Sequence, residues 1–308
     1  MDRVLVTGGA GFIGSHLVKS LLRDANCEVV VLDDLSAGNK DKVPAEAEFH
    51  QVDISTASEE ELTTLLKGCD TVFHLAAKAR VQPSIKDPVS YDAVNVGGIV
   101  RLLHAAHKAG VKRLVYSGSS SCYGNAEKFP TPETHKINPL SPYGLQKYIG
   151  ETYCKMFSQV YGIDTVCLRY FNVYGNGMPL TGAYRLVLGI FGSLYAERKP
   201  LTITNDGEQR RDFTWVSDVV RANILAGSRK KPFKGLSLNI GNGLNYSVNE
   251  VADMFGSKKV YGEKRYEPVQ TLADNSLASS ELGWIPEGDL PNFIHTYKQH
   301  LLTDSYYE

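Results

Sequence analysis

The chain reads as an α/β protein built on a doubly wound parallel sheet, with a smaller α+β domain toward its C-terminus. Three observations predict this. Short apolar runs alternate with helical patterns through the first half. A glycine-rich turn joins the first of those runs to the first helical pattern. The second half loses the alternation and breaks into shorter elements. Strands alternating with helices need crossover connections, which are right-handed and leave a parallel sheet covered on both faces.

The elements follow in order. Residues 4–7 form a buried strand, and 12–22 a helix with Ile13, Leu17, Leu21 and Leu22 on one face. Residues 29–33 form a second strand that ends in acid, and 71–75 another, followed by a loop carrying Pro83 and Pro88. A helix over 94–109 stops at Gly110, residues 113–117 return to strand, 141–161 hold a helix, and 165–170 a further strand. Beyond the Pro179 loop come a short strand at 201–204, the turn Asn205-Asp206-Gly207, a helix over 218–227 and a strand at 236–240. The expected division is 1–174 for the sheet domain, with segments near 212–243 returning to it, and 175–308 mainly for the second domain.

With 308 residues the chain can bury ample core, and its net charge of -1 provides no basic field for nucleic acid. Cys27, Cys69, Cys122, Cys154 and Cys167 are an odd number, with no CxxC pair. That usage suits reduced thiols and a cytoplasmic location. No apolar stretch approaches bilayer length, and the first strand runs straight into the glycine turn with no signal peptide before it. A membrane and nucleic acid are therefore not expected partners.

Gly9, Gly11 and Gly14 satisfy GxGxxG between a strand and a helix. The first glycine allows a tight turn, the second a close approach of backbone to pyrophosphate, the third close packing of helix on strand. The helix N-terminus then presents free N–H groups and its positive dipole end to phosphates. Asp33 lies about 20 residues on, where a carboxylate accepts from adenosine ribose hydroxyls and repels a 2′-phosphate, favouring NAD over NADP. Asp34 can share that work. Asp53-Ile54, after another short strand, is a candidate adenine contact or a surface turn.

Tyr143 and Lys147 stand four residues apart and so share a helix face. A free phenol ionises near pH 10, too high for a base at neutral pH. A neighbouring ammonium and the positive nicotinamide ring favour phenolate. Tyr143 can then remove a proton from a substrate hydroxyl as hydride leaves the carbon. Ser119, Ser120 and Ser121 follow a strand at the carboxyl edge of the sheet, where ligands sit, and can hydrogen-bond the reacting hydroxyl. His104 and His107 are three apart without a third metal ligand, which marks an exposed helix face, and no metal is expected. His74 suits packing or hydrogen bonding rather than base chemistry.

These residues together resemble the extended short-chain dehydrogenase/reductases that act on nucleotide sugars, most closely the UDP-glucose 4-epimerase group, whose dinucleotide half is a Rossmann fold. The landmarks span nearly the whole chain: TGGAGFIGSHL (7–17), DDLSAG (33–38), DI (53–54), HLAA (74–77), NVGG (95–98), SSSCYG (119–124), SPYGLQK (141–147), LRYFNVYG (168–175), QRRDFTWVSDV (209–219), NIG (239–241), LAD (272–274) and ELGW (281–284). The resemblance implies NAD contacts at Gly8, Gly11, Phe12, Ile13, Gly14, Asp33, Asp34, Leu35, Ser36 and Gly38. It extends them to Asp53, Ile54, Leu75, Ala76, Ala77, Asn95, Ser117, Tyr143, Lys147, Tyr170 and Val173.

Catalysis is implied at Tyr143, Lys147 and Ser119, with Ser121 as its backup. Substrate contacts are implied at Ser119, Ser120, Ser121, Tyr143, Asn172, Thr202, Ile203, Thr204, Arg211 and Asp274. Arg211 resembles the arginine that clamps the diphosphate, for which its planar fork is suited. Nucleotide-sugar dehydratases carry Thr-Asp-Glu where this chain has Ser119-Ser120-Ser121, so the resemblance implies hydride out and hydride back without loss of water. Tyr143 takes the proton of the sugar 4-hydroxyl, the C4 hydride passes to NAD, the 4-keto sugar turns over, and hydride returns to the other face. The other activities of the family kept in view are 4-ketosugar reduction and uronate epimerisation or decarboxylation; outside catalysis stands a dinucleotide- or RNA-binding relative.

The chain departs from the pattern at Lys78 and Ala79, and at Pro268-Val269-Gln270-Thr271, where an arginine is common. Arg265 is the alternative phosphate contact, and Arg185 is either a surface arginine or a cation near the expected sugar pocket that reads a uronate. Family members usually form homodimers, through helices that begin here near 94 and 143.

Overall fold

A computed structural model describes residues 1–180, 185–264 and 267–302. Strands β1 (Arg3–Thr7), β2 (Glu28–Asp33), β3 (Glu48–Gln51), β4 (Thr71–His74), β5 (Arg113–Ser119) and β6 (Asp164–Tyr170) join the strand Leu236–Ile240 in one seven-stranded sheet. Every pairing in it is parallel, and Leu236–Ile240 lies at one edge beside β6, followed by β5, β4, β1, β2 and β3. The fold is thus the doubly wound α/β class that the alternation predicts.

The strands are near-continuous apolar runs because both faces of the sheet are covered. Helix α1 (Phe12–Arg23) buries Leu17, Val18 and Leu21 on one face, joined there by the helix Val216–Ser228 and by Ala278 and Trp284. On the other face lie α2 (Glu59–Leu65), α5 (Ile99–Lys108) and α6 (Pro142–Val160), around Leu62, Leu102, Leu103, Tyr116 and Phe157. A third core unites Leu188, Phe191, Leu201, Ile203, Val251, Phe255 and Ile294, from the helices Val187–Ala196, Val248–Phe255 and Leu290–Leu301 and a short parallel strand pair, Leu201–Ile203 with Lys259–Tyr261. This is the smaller α+β domain.

Two local expectations are corrected. The stretch around Pro83 and Pro88 forms two short helices, α3 (Val81–Lys86) and α4 (Pro88–Asp92). Both prolines sit in first turns, where a missing N–H costs nothing, and Asp87 caps α4 by accepting from the Ser90 amide. The helix expected over 94–109 begins instead as a π-helical turn, Ala93–Gly98, and becomes α-helical at Ile99. No helix among the described residues is long and apolar enough to cross a membrane.

Candidate active site

Strand order reverses at β1, which lies between β2 and β4, so the crevice of the sheet opens at the carboxyl ends of β1 and β4. The glycine turn leaves β1 there, and it approaches the residues after β4 very closely. A Cβ added to Gly8 would lie 2.7 Å from the amide nitrogen of Ala76, and one on Gly14 would lie 2.0 Å from the carbonyl oxygen of Gly8. The tight turn falls at Gly8 (φ +71°), one residue earlier than the spacing rule places it. Gly11 has open space except for the Gly8 carbonyl oxygen, 3.2 Å from an added Cβ, leaving its backbone bare at the helix start. Phe12 and Ile13 open α1 beside it.

Asp33 ends β2, buried, with its oxygens accepting from the amides of Ala10 and Leu35, both at 2.9 Å. Each carboxylate oxygen keeps lone-pair capacity for a ribose hydroxyl. Burial nevertheless holds its pKa above the ordinary carboxylate value. An added Cβ on Gly38 would lie 2.9 Å from Asp33 Oδ1, so the segment that carries Asp34, Leu35 and Ser36 folds directly over this acid. Asp34 accepts from the Ser36 amide and hydroxyl. The residues present therefore fit a dinucleotide: a bare turn at a helix N-terminus, with a buried acid behind it.

Around that crevice, several expected contacts use their polar atoms within the chain. Asp53 accepts from the amide and hydroxyl of Ser55 at 2.8 and 2.7 Å, while Ile54 is buried against Gly98. Asn95 is buried and bonds both backbone groups of Lys78, each at 2.9 Å, so its amide braces the loop after β4. Thr7 Oγ1 accepts from the amides of Leu75 and Ala76, which leaves its own proton for His74 Nδ1 at 2.7 Å. His74 is thus a neutral acceptor, with burial pushing its pKa down to about 3. Ala77 follows in the same loop. Tyr170 joins Ser117 and Asn223 in a buried hydroxyl network, and Val173 is buried below it.

The chemical end of the crevice is built by β5 and α6. Ser119 ends β5, and its Oγ lies 2.7 Å from that of Ser121, with Ser120 between them in a 3-10 turn. Ser141 caps α6 by accepting from the Gly144 amide, Pro142 fills the first helical position, and the Tyr143 amide donates to Ser84 Oγ at 3.1 Å. The Ser119 side chain lies close enough to the Tyr143 phenol to favour its ionised form. The sequence thus brings Ser119, Ser121, Tyr143 and Lys147 together.

Packing gives the Lys147 ammonium a partner that its spacing from Tyr143 does not suggest. Burial raises the Tyr143 pKa, opposed by the Ser119 hydrogen bond and the charge of Arg80. Lys147 instead places Nζ 4.5 Å from the centre of the Tyr116 ring, and burial pushes its own pKa down to about 8. A four-residue spacing puts two side chains on one helix face without making them touch.

The second wall comes from the smaller domain. Arg211, nearly buried, pairs with Glu267 at 2.6 Å. Glu267 also accepts from Asn205, Thr204 and Gln209 at 3.0, 3.4 and 3.4 Å. Asn172 donates to the Asp212 carbonyl at 3.2 Å. Asp212 is buried and receives the amides of Asn242, Gly243 and Ala273. Thr202 is exposed, whereas Ile203 is wholly buried in the third core, so its side chain is withdrawn from any ligand. Asp274 caps a turn through Ser276. Arg185 is exposed before the helix Val187–Ala196, and Arg265 lies outside the described residues. Sequence reasoning missed Tyr116 and Glu267; of these, only Glu267 carries a local signal, an acid in the run where a phosphate-binding arginine was sought.

No group of three or more His, Cys, Asp or Glu among the described residues is placed to hold a metal ion. Fold and site define a nicotinamide-dinucleotide enzyme with a Ser–Tyr–Lys constellation. The family model for the NAD dependent epimerase/dehydratase family matches residues 4–241. A putative UDP-glucose 4-epimerase of Methanocaldococcus jannaschii is 37% identical, over 94% of this chain and 95% of that protein. The crystal structure of UDP-glucose 4-epimerase with UDP-glucose from Thermotoga maritima has a TM-score of 0.91 at 35% identity, covering 97% of this chain and 98% of that one. UDP-glucuronic acid 4-epimerase from Bacillus cereus, in complex with UDP-glucuronic acid and NAD, has a TM-score of 0.88 at 31% identity, covering 97% and 98%. The chain belongs to the NAD-dependent epimerase/dehydratase family.

Proposed function

We propose that the chain is an NAD-dependent epimerase that inverts C4 of a UDP-linked hexose through a transient 4-keto sugar. The observation that carries this reading is the meeting of the Ser119 hydroxyl with the Tyr143 phenol, in a site where residues 119–121 hold no carboxylate to eliminate water. Bound NAD supplies reversible acceptance of the C4 hydride. Tyr143 takes the 4-hydroxyl proton, and Ser119, backed by Ser121 at 2.7 Å, holds the same oxygen. Lys147, held over the Tyr116 ring, offers its ammonium to the cofactor ribose. Arg211 clamps the diphosphate, exchanging Glu267 for phosphate oxygens, while Asn172, Thr202, Thr204 and Asp274 line the nucleotide edge.

Five buried free thiols support a cytoplasmic location. Exposed Leu145, Val160 and Tyr161 on and beside α6 support a homodimer joined through that helix and the one over 99–108. A uronate is the second substrate reading, supported by the likeness to the UDP-glucuronic acid 4-epimerase.

The test is incubation of purified protein with UDP-, GDP- and TDP-hexoses and UDP-glucuronate, resolving C4 epimers by NMR without added cofactor. Interconversion of a UDP-hexose is expected; stoichiometric consumption of added NADPH would mark a reductase instead.

A further inference from the structure

Behind the carboxyl edge of the sheet lies a buried polar chain that the proposed reaction does not use. Arg169 of β6 pairs with Gly118 of β5 on one side and with Asn239 of the strand Leu236–Ile240 on the other. Its guanidinium grips Glu151 of α6 at two points, Nε to Oε2 at 2.9 Å and Nη2 to Oε1 at 2.5 Å. Nη1 donates to the Tyr123 hydroxyl at 2.6 Å, and that hydroxyl donates to Asn239 Oδ1 at 2.7 Å. Asn239 Nδ2 then donates to the carbonyls of Thr131 and Asp274, at 2.9 and 3.1 Å. All four side chains are buried, and none of their buried polar atoms lacks a partner. Burial keeps the Tyr123 phenol neutral by raising its pKa. A buried ion pair adds little net stability over apolar packing of the same volume. A fully bonded buried network instead specifies a single arrangement.

The chain reaches the reacting side chains through Tyr123. Tyr123 closes the 3-10 turn Ser120–Cys122, its amide donating to the Ser120 carbonyl at 3.1 Å. Inside the turn the Ser121 amide donates to Ser119 Oγ at 3.2 Å, and the two serine Oγ atoms lie 2.7 Å apart. The turn packs directly on the start of α6. A Cβ added to Gly144, the neighbour of Tyr143, would lie 2.7 Å from the Ser121 carbonyl oxygen.

We propose that Tyr123 is a positioning residue for the reaction: its hydroxyl, held between Arg169 and Asn239, fixes the turn that carries the Ser119 and Ser121 hydroxyls against the start of α6. This rests on the reading of Ser119 as the group that holds the reacting oxygen. The same chain ties the turn to Asp274 on the nucleotide edge and, through Glu151, to the helix of Tyr143 and Lys147. Three parts of the site thus share one buried anchor.

The test uses two variants of the full, NAD-loaded chain. Tyr123→Phe keeps the ring beside Phe171 and removes only the hydroxyl; Arg169→Lys removes the fork that donates to it. Turnover is measured in the parent and in a Ser119→Ala background, beside melting curves and amide hydrogen exchange. Tyr123→Phe should lower kcat about tenfold, as for a misplaced catalytic group, while KM changes by less than about twofold because Asn239 keeps its bonds to Thr131 and Asp274. In the Ser119→Ala background the same change should cost no more than about twofold, since the hydroxyl being positioned is gone. Exchange should quicken over residues 119–123 and stay unchanged over 7–14. Arg169→Lys should give the same pattern at lower stability. An equal fold-loss in both backgrounds, an unchanged kcat, or unchanged exchange over 119–123 overturns the proposal. So does loss of the folded state in both variants, which would make the chain a core element alone. Faster exchange over 119–123 in protein whose parent epimerises no sugar supports the anchoring of the turn and overturns the function proposed above.

Discussion

The Nζ of Lys147 lies 4.5 Å from the centroid of the Tyr116 ring, while the Tyr116 hydroxyl donates back to the Lys147 carbonyl at 3.2 Å. Each residue thereby fixes the other. A desolvated cation–π contact is worth up to about 2 kcal/mol, enough to decide where a buried ammonium rests. Tyr116→Leu should remove that platform and lower turnover roughly tenfold, with weaker NAD retention. Tyr116→Phe keeps the ring and should cost no more than about 1 kcal/mol of stability. Steady-state kinetics beside melting curves separate the two, and unchanged turnover in the leucine variant would sink the idea.

Tyr143→Phe removes the phenolic oxygen that meets Ser119 and leaves the ring in place. Turnover should fall by about a hundredfold to ten-thousandfold, as for loss of a general base. Bound NAD should survive purification, since Asp33 and the glycine turn are untouched. Near-normal activity in this variant would refute the assignment of the base.

Stability should respond to pH through Lys147, whose pKa is pushed down from 10.5 to about 8 by burial. Between those values the unfolded chain binds a proton that the folded chain does not, so stability rises with pH across that window. Below about pH 8 the folded chain carries the whole penalty, at most roughly 3 kcal/mol. Lys147→Met should therefore raise the melting temperature of NAD-free protein by a few degrees at pH 7, although it abolishes activity. The difference should shrink as pH passes 10. A melting temperature lowered at pH 7 would show that the cation–π contact outweighs desolvation.

Asp212 holds the amides of Asn242, Gly243 and Ala273 at 2.7, 3.0 and 3.0 Å, tying the run before Asp274 to the strand that carries Arg211. Asparagine offers one acceptor oxygen and turns an NH2 toward amides that need acceptors. Asp212→Asn should destabilise by about 2–4 kcal/mol and raise KM for the nucleotide sugar more than it lowers kcat. Denaturant melts and kinetics would check this; a change confined to kcat would argue against it.

Arg211→Lys keeps the charge and loses the planar fork. UDP affinity, measured calorimetrically, should weaken by about tenfold, while Tyr143-dependent chemistry in saturated protein changes little. Equal affinity in the two forms would remove Arg211 from the diphosphate clamp.

The parts of the site that are legible in the sequence are those carried by contiguous residues. The turn after β1, Asp33 at the end of β2, and Tyr143 with Lys147 each follow from local backbone periodicity. Their positions at the sheet's carboxyl edge follow from the alternation of strands and helices. Tyr116 and Glu267 were missed because neither acts within its own segment. Tyr116 matters through the Lys147 ammonium over its ring, and Glu267 through an arginine 56 positions away. Asn95 was read as a cofactor contact, but its amide atoms bond the Lys78 backbone and Gln146. Pro83 and Pro88 looked like a loop because their helices are too short to show a period.

By itself the sequence determined the sheet class, the dinucleotide turn and the candidate hydroxyls of Ser119 and Tyr143, because these depend on side-chain period and on chemistry between near neighbours. The tertiary structure decided which charge meets which group. Lys147 shares a helix with Tyr143, yet burial and packing send its ammonium onto the ring of Tyr116, while Arg211 meets Glu267 from a distant part of the chain. Charge acts through space and through the local dielectric, and neither is a property of position along the chain.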